Sequence, residues 1–110
     1  MKIKTRTKLK LIDNYISIYR ALYNCKILLL NNKNDQSTVL RICDQALDLK
    51  NKYEYAFEKL NMIDTSFLIL KQQLNSIELS EMSYKNSFSL SDIISDLSFI
   101  ETTYTALNLK

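Results

Sequence analysis

The sequence of 110 residues contains neither glycine nor proline. At average usage, a chain of this length would have roughly eight glycines and five or six prolines. The turns of β-rich folds recruit both residues, whereas helices need neither. The two absences therefore argue against a sheet-rich fold and predict an all-α chain.

Histidine is absent as well. Its absence removes the commonest general base, a frequent metal ligand and every Ser–His or Cys–His nucleophile pair. Without glycine there is also no phosphate-cradling loop of the P-loop or dinucleotide kind. Carboxylates do recur at helical spacing, but mostly on polar faces and without the histidines of di-metal bundles. We therefore expect no enzymatic activity, no metal, no cofactor and no small-molecule substrate.

Long apolar runs are missing too. The longest run, ILLL at residues 27–30, is far shorter than the roughly 20 residues that span a bilayer. The basic start MKIKTRTKLK is followed by a segment too polar for the apolar part of a secretion signal. We expect a cytoplasmic protein with a single helical domain over residues 1–110, in which residues 1–8 are a candidate flexible basic arm.

Apolar residues recur in unbroken 3-4 spacing through the middle of the chain. They are Val39, Ile42, Ala46, Leu49, Tyr53, Ala56, Leu60, Ile63, Phe67, Leu70, Leu74 and Ile77. Their phase does not change across the polar cluster at residues 64–66, and a loop of arbitrary length would usually have shifted it. The pattern favours one long central helix over about residues 38–84.

The polar cluster also allows a second interpretation. Asp64 or Thr65 would be a good N-cap for a separate helix, and the chain would then form a four-helix bundle with a break near Asp64. The continuous helix is favoured because threonine and serine weaken a helix by only a few tenths of a kcal/mol each.

Two shorter helices are predicted to flank the central one, over about residues 5–31 and about 90–107. Short linkers favour antiparallel packing of both. Ser89 is a good N-cap for the second of them, with Asp92 in the capping-box position. The first has apolar residues around most of its circumference, which is typical of a helix with more than one neighbour. We therefore expect a protein partner or self-association, most simply as a homodimer.

The candidate partner-binding residues lie on this first helix. Tyr15, Tyr19 and Tyr23 form a column one turn apart, and Ile16 and Ile27 flank it. Tyrosine is enriched at interface hot spots, although it is also common at the edge of a core. The leading hypothesis is a non-enzymatic helical protein-binding module, such as an adaptor, chaperone or immunity-type protein, that engages its partner through helix–helix packing.

The chain resembles two kinds of small bacterial protein in its size, basicity and helical character. They are the helical immunity proteins against peptide toxins and the small helical chaperones of secretion systems. No motif is shared with either, so the resemblance is one of fold alone and implies little about function.

Cationic residues are concentrated at the start of the chain. They are Lys2, Lys4, Arg6, Lys8 and Lys10, and the net charge of +3 leaves the other hundred residues at −2. Cations at a helix N-terminus oppose the helix dipole, so helix stability does not explain them. A solvated arm is one interpretation. The alternative functional hypothesis is a protein that binds nucleic acid or an anionic membrane through this arm.

The two cysteines, Cys25 and Cys43, each lie nine residues from Asn34. In an antiparallel hairpin that turns near Asn34 they would be level with each other. They are predicted to be two small buried thiols in a reducing compartment. As a candidate thiol pair they could also form a disulfide, if their Cα atoms lie within about 7 Å.

Overall fold

The computed structural model describes residues 4–31, 35–76 and 89–109. These residues form four α-helices and no strand: α1 (Thr5–Asn31), α2 (Gln36–Lys59), α3 (Thr65–Ser76) and α4 (Leu90–Ala106). The predicted all-α class is confirmed, and the count matches the four-helix alternative. None of these helices combines the length and apolarity needed to cross a bilayer.

The chain does not form the long central helix that its periodicity favoured. The second helix ends at Lys59 and the third begins at Thr65, so the prediction of one helix through this region was wrong. Asp64 is the N-cap of α3: its carboxylate accepts a hydrogen bond from the backbone N–H of Phe67 at 2.9 Å. Residues 77–84 of the predicted helix lie outside the described part of the chain.

A left-handed residue ends α2. The N–H of Asn61 donates to the carbonyl of Glu58 at 3.2 Å, and the N–H of Met62 donates to the carbonyl of Phe57 at 2.8 Å. This pair of bonds is the Schellman motif, in which glycine usually occupies the position of Asn61. Asn61 has a φ of 55°, a conformation that asparagine tolerates better than most residues.

The apolar seam keeps its phase although the helix breaks. Leu60 and Phe67, seven residues apart, are both buried. Between them, Ile63 falls in the linker and is 45% exposed. The linker therefore has a length that returns the apolar residues to the same face, and an unchanged phase does not require a continuous helix.

The first two helices form an antiparallel hairpin. The amide of Asn14 donates to the hydroxyl of Tyr53 at 3.1 Å, and the next residue along each helix pairs as well, Tyr15 with Glu54. The midpoint of each pair along the sequence lies close to residue 34, the turn position predicted to place Cys25 level with Cys43. The buried residues that join the two helices include Leu11, Ile18, Cys25, Val39, Ala46 and Leu49.

The last helix packs on this hairpin and not on a continuation of α2. The Tyr53 hydroxyl donates to the carbonyl of Ile100 at 2.6 Å. Lys10 lies over Phe99, whereas Arg20, almost three turns further along α1, lines a cavity with residues 95–96. This order makes α4 antiparallel to α1. The prediction that both shorter helices pack on one straight central helix was therefore wrong. The chain reverses direction at residues 60–64, and α3 and α4 pack on different faces of the α1–α2 hairpin.

The predicted cap of the last helix is present. The backbone N–H of Asp92 donates to the Ser89 hydroxyl, and the backbone N–H of Ser89 donates to the Asp92 carboxylate, both at 3.2 Å. This reciprocal capping box fixes the start of α4. At the other end of the chain, α1 already includes residues 5–8 of the predicted basic arm.

Candidate partner-binding groove

The predicted tyrosine column is divided between the core and the surface. Tyr15 is fully buried and Tyr19 is 4% exposed, whereas Tyr23 is half-buried. The Tyr15 ring contacts Phe57 of α2 and Phe67 of α3, with ring centroids 5.2 and 5.6 Å apart. The first two tyrosines therefore hold the chain's own helices together. Tyr23 retains exposed surface that a partner could contact.

Ile16 and Ile27, the other predicted partner-binding residues, are both half-buried on α1. They lie near the same outer face of the helix as Tyr23, whose ring is covered by Lys26 with the ammonium 5.3 Å from the ring centroid. Helical spacing places them well away from the fully buried Leu11 and Ile18. This face is mixed in character, because the exposed Arg20 also lies on it.

A charged network lies where α3 meets the hairpin. The Tyr15 hydroxyl donates to a Glu54 carboxylate oxygen at 2.6 Å. The same oxygen is 3.2 Å from the Lys71 ammonium and 3.7 Å from that of Lys50. Burial alone would raise the pKa of Glu54, but the hydrogen bonds from Tyr15 and Lys71 and the nearby lysine charges outweigh it and lower this pKa. Glu54 is therefore held as a carboxylate that ties α3 to α1 and α2.

Both buried tyrosine hydroxyls of this region are occupied. The Tyr19 hydroxyl donates to the side-chain oxygen of Asn75 at 3.2 Å and lies 3.4 Å from that of Tyr15. Burial, and next the hydrogen bonds to Glu54 and Tyr19, raise the pKa of Tyr15 well above its ordinary value. A phenol with a raised pKa stays protonated and donates. The network is accordingly a structural tie between three helices.

An apolar cavity opens where α1 begins and the α2–α3 linker passes beside it. Its volume is about 330 Å³. We call it the α1–α3 groove and define it by its lining residues, Lys8, Ile12, Asn61, Met62, Asp64, Ser66, Phe67 and Leu70. The groove could not be found from the sequence, because the turn at residues 60–64 creates it.

Exposed apolar side chains adjoin the groove. Leu9, Ile63 and Ile69 are 57%, 45% and 51% exposed, respectively. On their helices, Leu9 and Ile69 are each three residues from a lining residue, Ile12 and Ser66 respectively, and residues with this spacing are neighbours on a helix surface. Ile63 lies in the linker, between lining residues. Exposed apolar side chains beside a cavity are typical of an interaction site.

The predicted basic residues have different surroundings. Lys8 lines the groove, and Lys4, one turn earlier, accepts the Lys8 backbone N–H at 3.1 Å through its carbonyl. Lys10 lies on another face, its ammonium 5.2 Å from the centroid of Phe99. Lys4, Arg6 and Lys8 form no ion pair with any residue that the structure describes. Lys2 lies outside those residues.

Both cysteines are free thiols, with Cys25 buried and Cys43 half-buried. Burial, and to a smaller extent the neighbouring Cys43, raises the pKa of Cys25 to about 11. Burial also raises the pKa of Cys43, with a further contribution from Asp44. Thiols with raised pKa values react slowly because the thiolate is the nucleophile. Their proposed pairing as a disulfide stays a prediction.

Together, the fold and the site describe a small helical bundle with an apolar groove bordered by lysine. In the ranges 4–31, 35–76 and 89–109, no group of three or more cysteines and carboxylates is placed to hold a metal ion. No protein-family model, curated protein sequence or solved structure matches the chain.

Proposed function

We propose that the protein is a non-enzymatic helical protein-binding module, of the adaptor, chaperone or immunity type, that acts in the cytoplasm. A helix of the partner packs into the α1–α3 groove. The observation that carries the proposal is the apolar cavity of about 330 Å³ with exposed Leu9, Ile63 and Ile69 beside it. Removing such side chains from water contributes about 25 cal/mol per Å² of apolar surface, from which the entropic and desolvation costs of association are subtracted.

The shape of the groove favours a helical partner. Helices α1 and α3 run in the same direction, because Tyr15 is beside Phe67 and Tyr19, one turn later, bonds to Asn75 of α3. Each helix contributes part of the groove lining, and the α2–α3 linker contributes the rest. Lys8 and Ile12 of one wall and Ser66 and Leu70 of the other are each one turn apart. Ridges with this spacing accept the side chains of a third helix.

The test compares two exposed isoleucines. Ile69 adjoins the groove and is 51% exposed, whereas Ile94 lies on α4 and is 44% exposed. Either can be replaced by glutamate with little expected loss of stability, because exposed positions usually change it by less than about 0.5 kcal/mol. We expect the Ile94→Glu protein to recover the same partner from the native host as the unmodified protein. Ile69→Glu should lose it.

Mass spectrometry identifies the recovered partner, and thermal melting confirms that both variants fold. Equal recovery by the unmodified protein and the Ile69→Glu variant would contradict the proposal. Light scattering on the purified protein shows whether the partner is a second copy of the chain or a different protein. A dimer that Ile69→Glu converts to monomer would show that the partner is a second copy.

A second candidate function is binding of nucleic acid or an anionic membrane through the basic residues. It is favoured by the lack of ion pairs at Lys4, Arg6 and Lys8 within the described part of the chain. Such binding would weaken steeply as salt is raised. We rank it second because Lys8 borders an apolar cavity, which a phosphate backbone would leave unfilled.

A further inference from the structure

We infer that the helix that binds in the α1–α3 groove is acidic and amphipathic, with an apolar side chain in the cavity and carboxylates against Lys4 and Lys8. This inference rests on the proposed function. It adds the charge and polarity of the partner, which the proposed function leaves open.

The cationic side of the groove comes from the first turns of α1. Lys8 lines the cavity, and residues four apart on a helix lie on the same face, so Lys4 extends that border by one turn. Neither lysine is in an ion pair with the described residues. No acid precedes Asp13 in the sequence. The charge of this border is therefore not neutralised by α1 itself.

Asp64 is the acid among the residues that line the cavity. Its carboxylate accepts the Phe67 N–H at 2.9 Å at the start of α3. A carboxylate in this position is stabilised by the positive end of the helix dipole. The Asp64 carboxylate therefore caps α3. Among the described residues, it forms no ion pair with Lys8.

The interior of the groove requires an apolar group from the partner. Ile12, Met62, Phe67 and Leu70 form the apolar part of the lining, and Met62 and Phe67 are almost fully buried. A leucine or phenylalanine side chain on a helix could enter between them. Carboxylates one turn apart on the flank of that helix would then match the spacing of Lys4 and Lys8. A nucleic acid or a flat bilayer offers charge without a side chain for the cavity.

Two synthetic helical peptides test the inference. Both have leucines on one face; one has glutamates on the other face, and its counterpart has lysines in their place. We expect the glutamate peptide to bind the full-length protein at least about tenfold more tightly than the lysine peptide at low salt. Fluorescence anisotropy with each labelled peptide, repeated at high salt, measures the difference.

Matched variants separate charge from burial. Lys8→Glu should weaken binding of the glutamate peptide by about tenfold. Lys26→Glu should leave binding unchanged, because Lys26 lies about 27 Å further along the same helix. Ile69→Glu should weaken binding of both peptides, and Ile94→Glu neither. Circular dichroism shows that each variant remains folded.

Three results would overturn the inference, and they bear differently on the proposed function. If both peptides bind equally and Ile69→Glu abolishes both, the groove binds helices without selecting acidic ones, and the proposed function stands. If neither peptide binds, the inference fails, and partner recovery with Ile69→Glu decides the proposed function separately. If DNA or anionic vesicles bind, and Lys8→Glu abolishes this while Ile69→Glu does not, the basic border serves another ligand and the inference fails.

Discussion

The helices α3 and α4 are attached to the same α1–α2 hairpin through different chemistry. Ile93, Leu97 and Ile100 of α4 are at most 2% exposed, and the polar contact beneath them is the neutral, buried hydroxyl of Tyr53. The attachment of α3 combines buried Phe67 and Leu74 with the charged network around Glu54. One helix is therefore held mainly by apolar burial, and the other partly by charge.

This difference has consequences for how the two helices respond to their surroundings. Neutral hydrogen bonds in the interior are little affected by salt and do not titrate near neutral pH. Ion pairs at a partly exposed site are screened by salt and depend on the protonation of the carboxylate. Ser66, Phe67 and Leu70 of α3 line the candidate groove, so part of the surface proposed to bind a partner belongs to the helix whose attachment depends more on conditions.

The largest expected effect comes from the neutral side. Tyr53→Phe removes the hydroxyl that accepts from Asn14 and donates to the carbonyl of Ile100. Asn14 is itself buried, so its amide would lose a partner that water cannot easily replace. We expect the free energy of unfolding to fall by about 1–3 kcal/mol. Urea denaturation followed by circular dichroism measures it.

Tyr15→Phe is the matched change on the charged side. It removes one donor to Glu54, but that carboxylate keeps Lys71 and Lys50 and is 24% exposed to solvent. A hydrogen bond to a charged group is worth about 1.5–3 kcal/mol, but solvent and the two lysines compensate for part of it at this partly exposed carboxylate. The expected loss is therefore about 1–1.5 kcal/mol, which is smaller than that of Tyr53→Phe. If Tyr15→Phe proved the more damaging change, the distinction between the two attachments would be wrong.

Much of the fold could be predicted from local patterns. The seam of α1, the antiparallel register about residue 34 and the Ser89–Asp92 capping box all follow from residues close in sequence. Helix periodicity and capping depend on spacing within one or two turns, so they survive in a single sequence. The division of the tyrosine column did not follow, because burial of Tyr15 depends on Phe67, which is fifty-two positions away.

The break between α2 and α3 was harder to predict because the chain lacks glycine. Asn61 takes the left-handed position that glycine normally occupies, and Asn108 has a φ of 53° at the end of α4. Both follow a leucine and precede an apolar residue, giving Leu-Asn-Met at residues 60–62 and Leu-Asn-Leu at residues 107–109. Other asparagines, such as Asn51, lie inside helices, so the local signal for the end of α2 is an asparagine between two apolar residues with the N-cap Asp64 three residues later.

A substitution at this break tests how far α3 depends on it. Asn61→Ala removes the side-chain amide that helps asparagine adopt a φ of 55°. Alanine has no such polar group, so the substitution is expected to destabilise the protein by about 1 kcal/mol. Asn61→Gly should be neutral or slightly stabilising, because glycine adopts this conformation without steric conflict. Thermal melts of the two variants provide the comparison. Equal stability of the two would show that the left-handed turn is not under strain.

The smallest expected effect concerns the pH dependence of the charged attachment. The pKa of Glu54 is lowered in the folded protein, so its contribution to stability is present above its ordinary value of 4.5 and is lost as the pH falls through the folded value. Glu54→Gln keeps an oxygen that can accept from Tyr15 but removes the charge. We expect the unmodified protein to be more stable than this variant at neutral pH, and the difference to shrink below pH 4.5.

Comparing the two proteins at each pH removes the titration of the other carboxylates from the measurement. Asp48→Asn supplies the control, because the Asp48–Lys52 pair spans 3.2 Å but its carboxylate side chain is 64% exposed. Its contribution should be smaller at every pH, since exposed pairs are worth little. A stability difference for Glu54→Gln that stays constant from neutral to acid pH would contradict the assignment of charge to the α3 attachment. Raising the salt concentration should reduce the Glu54→Gln difference and leave that of Tyr53→Phe unchanged.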